Sequence, residues 1–136
     1  GTAEPIVITT FNRDENTKSG KIKNIRFFNI TCKGENGVLV HGNKDNMIEN
    51  VTFENVNVTL SKTSKWDCGL YDLRPCLEYG VEKIKNSAFY LRNAENVLIE
   101  KCSVNWGNIC DDYNKRIDYE NCPNLEMIRF TGGDAK

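Results

Sequence analysis

The feature that most constrains this chain is a phrase it uses four times. The phrase reads Asn24-Ile25-Arg26-Phe27-Phe28-Asn29-Ile30, then Asn50-Val51-Thr52-Phe53-Glu54-Asn55-Val56, then Asn96-Val97-Leu98-Ile99-Glu100-Lys101-Cys102, then Asn124-Leu125-Glu126-Met127-Ile128-Arg129-Phe130. Each copy is an Asn followed by apolar residues at every second place. That alternation is the signature of a half-buried strand, because successive side chains point to opposite faces. Asn suits the bend before each strand, since it tolerates left-handed geometry. A second phrase lies between the copies: Gly37-Val38-Leu39-Val40-His41-Gly42-Asn43, Ala88-Phe89-Tyr90-Leu91-Arg92-Asn93, and Arg116-Ile117-Asp118-Tyr119-Glu120-Asn121. The first-phrase starts differ by 26, 46 and 28 residues (24 to 50, 50 to 96, 96 to 124). Two or three short strands per repeat, with no helical period, predict a solenoid.

The expected fold is therefore all-β, a right-handed parallel β-helix of about four coils, with like strands stacked at roughly 4.8 Å. The whole chain, 1–136, is read as one domain and as a fragment of a longer helix. A partial coil covers 4–11, and full or partial coils follow at 21–49, 50–95, 96–123 and 124–136. Asn12 to Gly20 is a polar loop. Lys33-Gly34-Glu35-Asn36-Gly37 reads as a turn whose glycines supply positive backbone angles. The second coil carries a long insertion, 61–86, and solenoids place such insertions on one face, often the binding face.

Composition narrows the functional classes. The sequence is 39% hydrophobic and 27% charged, as in ordinary folded domains. No apolar run approaches bilayer-spanning length, so no membrane partner is expected. A formal net charge of -1 argues against a nucleic-acid partner. Residue 1 is Gly and no signal segment precedes it, so the chain is read as processed or cut from a longer protein. The six cysteines, Cys32, Cys68, Cys76, Cys102, Cys110 and Cys122, make no paired metal-ligand spacing, and no cofactor is expected. Cys102, in register with Ile30 and Val56, reads as a small buried apolar residue. Cys68 and Cys76 flank a loop segment that admits a local disulfide, but the rest of the set looks reduced.

The coil phrases, the Pro5-Ile6-Val7-Ile8-Thr9 opening and the segment Thr63-Ser64-Lys65-Trp66…Tyr71-Asp72-Leu73-Arg74-Pro75-Cys76 resemble the C-terminal coils of glycoside hydrolase family 28. That is the polygalacturonase group of the pectin-lyase-like β-helices, and the likeness covers nearly the whole chain. The resemblance implies hydrolysis of α-1,4-galacturonosyl links with inversion, by a carboxylate acid and base and no metal. It implies a pectin-type, uronate-containing polysaccharide as partner of the parent protein, and a secreted or periplasmic parent. The family's Asn-Thr-Asp, Gly-His-Gly and Arg-Ile-Lys are absent here. Asp111-Asp112 and Val40-His41-Gly42 stand in the reverse of the family's order. No catalytic residue is assigned to this chain, and the catalytic coils are expected upstream.

Asp111-Asp112 reads as a solvated turn rather than an inverting pair, which needs its carboxyls about 6.5–9.5 Å apart across the sugar. His41, the single histidine, sits on the outward side of its strand and reads as exposed or turn-facing. The candidate substrate-binding residues are Lys65, Trp66, Tyr71 and Arg74 in the insertion. Aromatic faces pack on sugar rings, and Arg can pair two-pronged with a uronate. Two readings of this loop stand: a sugar platform with Trp66 and Arg74 on one side of the solenoid, or a segment folded on its own core of Trp66 and Tyr71. Stacked Asn ladders in the turns are structural. The glycosylation patterns at Asn29, Asn50 and Asn57 follow from the strand phrase itself. The alternatives to a hydrolase fragment are a non-catalytic carbohydrate-binding or structural solenoid such as an adhesin and, more remotely, a calcium-dependent eliminase. The latter lacks a visible acidic ligand cluster. The open N-terminal coil edge at Pro5 to Phe11 is expected to self-associate.

Overall fold

The computed structural model describes residues 4–136, and these contain strands but no helix. The strands are β1 (Val7–Thr9), β2 (Lys23–Gly34), β3 (Val38–His41), β4 (Ile48–Leu60), β5 (Leu70–Asp72), β6 (Val81–Lys83), β7 (Phe89–Arg92), β8 (Ala94–Glu100), β9 (Ser103–Trp106), β10 (Ile117–Glu120) and β11 (Glu126–Ile128). One parallel sheet has the order β1-β3-β7-β10. A second has the order β11-β8-β4-β2, with β9 also paired to β4, and is parallel throughout. Hairpin β5-β6 is the only antiparallel sheet among the described residues. Outside the hairpin the chain alternates between the two parallel sheets, apart from β9, which follows β8 in the same sheet. Parallel neighbours therefore come from different repeats, as the sequence period requires.

The Asn residues do more than precede strands. In β4 the buried side chains are Ile48, Val51, Phe53, Val56, Val58 and Leu60, so the alternation skips a place at Asn50 and again at Asn55. Both have positive φ, 57° and 53°. Each left-handed residue turns the chain and uses up one position, so the same apolar face stays inward past the corner. Asn24 and Asn29 bend β2 in the same way, with φ of 61° and 55°. The equivalent corners stack. Asn50 donates Nδ2–H to Oδ1 of Asn24 at 2.9 Å, and Asn55 to Asn29 at 3.0 Å. Asn121 does so to Asn93 at 2.8 Å and Asn124 to Asn96 at 3.1 Å. The expected ladders are present.

Register stacks like on like. Phe27, Phe53 and Ile99 align across β2, β4 and β8, and Cys32, Val58 and Val104 across β2, β4 and β9. The Phe27 and Phe53 rings stack with centroids 5.1 Å apart. Val38, Val40, Phe89 and Leu91 face them from the other sheet, and Phe53 meets Phe89 edge-on at 5.5 Å. Cys102 is buried in this core as expected, and all six cysteines are free thiols. The segment after β2 corrects one expectation. Neither Gly34 nor Gly37 has a positive φ, since Gly34 ends β2 and the left-handed glycines are Gly69 and Gly132. Gly37 is instead required by close approach, because a Cβ there would lie 2.4 Å from the carbonyl oxygen of Ser87.

Candidate functional site

On β3, Val38 and Val40 point to the core, which leaves Leu39 and His41 on the opposite face. Register extends this into two outward rows across the sheet. One is Val7, Leu39, Tyr90 and Asp118; the other is Thr9, His41, Arg92 and Glu120. All four residues of β3 are nonetheless buried. The cover is the insertion 61–86, whose Tyr71, Leu73 and Ile84 pack on Leu39 and Tyr90 as a second small core.

Three polar anchors hold this insertion down. Glu35, 1% exposed, accepts from the backbone N–H of Ser64 (2.7 Å) and Thr63 (2.9 Å), the Ser64 hydroxyl (2.9 Å) and Lys62 Nζ (3.3 Å). The Ser64 N–H, aided by those other donors, holds the carboxyl at about 2 although burial pushes it up. Asn86, fully buried, donates to Asn36 Oδ1 at 2.8 Å and accepts the Tyr71 hydroxyl. At the far end Glu78 accepts from Asn12 Nδ2 (2.9 Å) and Asn43 Nδ2 (2.8 Å).

Where this roof stops, a cleft of about 340 Å³ opens, walled by His41, Tyr79, Lys83, Tyr90, Arg92 and Glu120 among others. Arg92 is fixed in it. Its guanidinium lies 4.0 Å over the Tyr90 ring, pairs with Asp118 at 2.9 Å and Glu120 at 3.6 Å, and donates to the Leu91 carbonyl at 2.9 Å. Lys83 pairs with Asp112 at 2.9 Å. The His41 ring sits among Phe11, Tyr79 and Tyr90, with centroids at 4.8, 5.2 and 6.0 Å. Its Nδ1 is buried and has no hydrogen-bond partner among the described residues. Burial, and then the Arg92 charge, lower its pKa to about 4, so the imidazole is neutral at pH 7. His41 is thus not the exposed histidine expected from the sequence. It does face outward, but the inserted loop covers that face.

The four candidate residues of the insertion separate. Lys65 and Trp66 stay together on the surface, with Nζ 4.9 Å from the indole centroid and Trp66 65% exposed. Tyr71 is wholly buried against Tyr90 and offers no face to a ligand, which corrects its assignment to a binding surface. Arg74 is exposed, but its fork is already filled by Asp72, with Nε–Oδ1 and Nη2–Oδ2 both at 2.8 Å. Asp112 pairs with Lys83, while Asp111 is exposed with Lys136 Nζ 3.8 Å away. No group of three or more His, Cys, Asp or Glu side chains among the described residues is placed to hold a metal ion.

Sequence reasoning missed the cleft walls. Aligning the second phrase already puts His41, Arg92 and Glu120 in one row, and that signal was available. Nothing in the sequence marks Tyr79 as the residue that closes over it. The cleft presents aromatic faces, hydroxyls and ion-paired charges. Its carboxylates are engaged as well: Glu120 lies beside Arg92, and Glu82 accepts from Gly80 N–H at 3.4 Å. That arrangement suits binding a polar ring better than proton transfer. No family model, curated protein or solved structure matches this chain.

Proposed function

We propose that the two parallel sheets are faces of a right-handed parallel β-helix of about four coils. In this reading the chain is the C-terminal portion of a pectin-active, polygalacturonase-like glycoside hydrolase, and it binds polysaccharide without cleaving it. The alternation of the chain between sheets, broken only by β9 and the inserted hairpin, with left-handed corners stacked in columns, supports the solenoid. One observation carries the binding role: the insertion 61–86 roofs part of the outward face and leaves a cleft walled by aromatic and charged side chains. The insertion also carries an exposed pair, Trp66 with Lys65 over its ring, as a further polar-aromatic patch.

The test is electrophoresis of the chain through gels containing polygalacturonate or pectin, together with a reducing-end assay. Retardation that Trp66→Ala weakens is expected, with no reducing ends above a no-protein control. Reducing-end release abolished by Asp111→Asn would overturn the non-catalytic assignment, and unretarded migration would overturn the binding role. A second reading, a binding solenoid with no hydrolase parent, is favoured by the commitment of Asp112 to Lys83 and of Arg74 to Asp72. Coding sequence upstream separates the two: an Asn-Thr-Asp followed by Asp-Asp and Gly-His-Gly identifies the hydrolase.

A further inference from the structure

We infer that the cleft between the inserted segment and the outward face of β3 and β7 takes a single neutral sugar residue, held by the uncommitted polar atoms of His41, Tyr79 and Tyr90. The inference deepens the polysaccharide-binding reading, on which it rests for the class of ligand, and it names what that site selects.

Size sets the first limit. About 340 Å³ is at the small end of small-molecule sites and holds one pyranose ring rather than an oligosaccharide. The second consideration is what the walls leave unsatisfied. Buried polar atoms in native folds are nearly always paired. His41 is 6% exposed, yet its Nδ1 has no partner. Among the described residues the hydroxyls of Tyr79 and Tyr90 also have no hydrogen-bond partner, and both rings line the same cleft. A neutral imidazole offers one donor and one acceptor, and a tyrosine hydroxyl offers both. Sugar hydroxyls match that set, since each donates and accepts. The C–H face of a pyranose can pack on Tyr79, which is 39% exposed. The Tyr79 ring packs on the imidazole with centroids 5.2 Å apart and Nδ1 is buried, so a ligand reaches that nitrogen only when the aromatic packing around it opens.

Charge decides between a neutral sugar and a uronate. Both cations of the cleft are taken, Arg92 by Asp118 and Glu120, and Lys83 by Asp112. A ligand carboxylate would compete with these acids and would also meet Glu82. It would gain little, whereas neutral hydroxyls leave the ion pairs in place. Pectin-type polymers carry neutral sugars as well as uronates, so a neutral pocket beside a chain-binding surface would read branches or interruptions.

The experiment uses the whole chain and titrates it with methyl β-D-galactopyranoside, L-rhamnose and sodium D-galacturonate, followed by saturation-transfer and chemical-shift NMR. Expected is saturable binding of a neutral sugar with weaker or no binding of galacturonate. His41→Phe keeps a ring in the core and Tyr90→Phe keeps the stack on Tyr71. Each should weaken neutral-sugar binding about three- to ten-fold, the effect of one hydrogen bond, without lowering the thermal midpoint. Lys33→Gln, on β2 and outside the cleft, should leave it unchanged. Preference for galacturonate, no neutral-sugar binding, or equal binding by both Phe variants would overturn the inference. Retardation by pectin with no neutral-sugar binding would overturn it while the polysaccharide reading stands. Neutral-sugar binding lost in His41→Phe, with no retardation by any polymer, would support it and overturn that reading.

Discussion

Glu35 shows how one residue ties the insertion to the body. It is an acid in a place where acids are rarely found, and it stays ionised because three donors from residues 63 and 64 and one from Lys62 surround it. Glu35→Gln replaces a charged acceptor by a neutral amide and is expected to cost about 1–3 kcal/mol in urea unfolding. The same site fixes part of the pH response. Its folded pKa of about 2 lies below the ordinary 4.5, so its stabilisation is present above about pH 4.5 and disappears as pH falls through 2. His41 acts in a different window. Its folded pKa of about 4 lies below 6.5, so between those values the unfolded chain binds the extra proton, and stability falls as pH drops from 6.5 to 4. Facing the ring are Arg92, Phe11, Tyr79 and Tyr90, with Glu82, Lys83 and Glu120 along the cleft. The expected result is that His41→Phe flattens the upper window and leaves the Glu35 window intact. Thermal midpoints measured from pH 7 to 2 check both, and an unchanged slope between 6.5 and 4 would refute the His41 part.

At the scale of the strand, the corner column that begins at Asn29 and Asn55 continues through Lys101 and Arg129. All four are left-handed, with Lys101 at φ 54° and Arg129 at φ 52°. A non-glycine residue there carries a steric cost that Asn relieves by local hydrogen bonding, and Lys does not. Lys101→Asn would also place an amide above Asn55, whose own amide already donates to Asn29. It is expected to raise stability by about 1 kcal/mol, whereas Asn55→Ala should lower it by about 1–2 kcal/mol. Chemical unfolding of both variants tests the corner mechanism. Equal and small effects would show that the corners are set by the strand pairing instead.

For the whole molecule, the long edge is β2, twelve residues paired, among the described residues, only to β4 in its sheet. Its inward side chains Ile25, Phe27, Ile30 and Cys32 are half-buried, so the end of the apolar column is partly open. The short β1 edge beside it is the one the sequence singles out. There Ile6 and Ile8 are buried and Val7 is exposed. Lys23, Arg26 and Lys33 lie exposed along β2, and like charges on an edge oppose pairing with a second copy. Self-association is therefore expected to be weak at low salt and to strengthen as salt screens those charges. Sedimentation over a concentration series at two ionic strengths checks this. A strictly monomeric chain at high concentration and high salt would refute it.

The sequence by itself determined the strands of the repeated phrases, their parallel pairing and the inward columns, but not the hairpin β5-β6 or β9. The reason is local: an alternating apolar pattern has only one face to bury, and a repeated Asn fixes where each repeat turns, so the period carries the register. It also pointed to the insertion as the distinctive part of the surface. It did not determine which side chains there stay free. Tyr71, Trp66 and Arg74 look alike as candidates, but burial on Leu39 and Tyr90 removes Tyr71, and Asp72 occupies Arg74. His41 looks exposed until a loop from elsewhere in the chain is laid over it. Arg74 meets Asp72 only two places away, but the cover over Leu39 and His41 depends on contacts between residues 29 to 50 positions apart, such as Glu35 with Ser64 and Asn36 with Asn86. No period encodes such pairings, and the tertiary fold alone decided them.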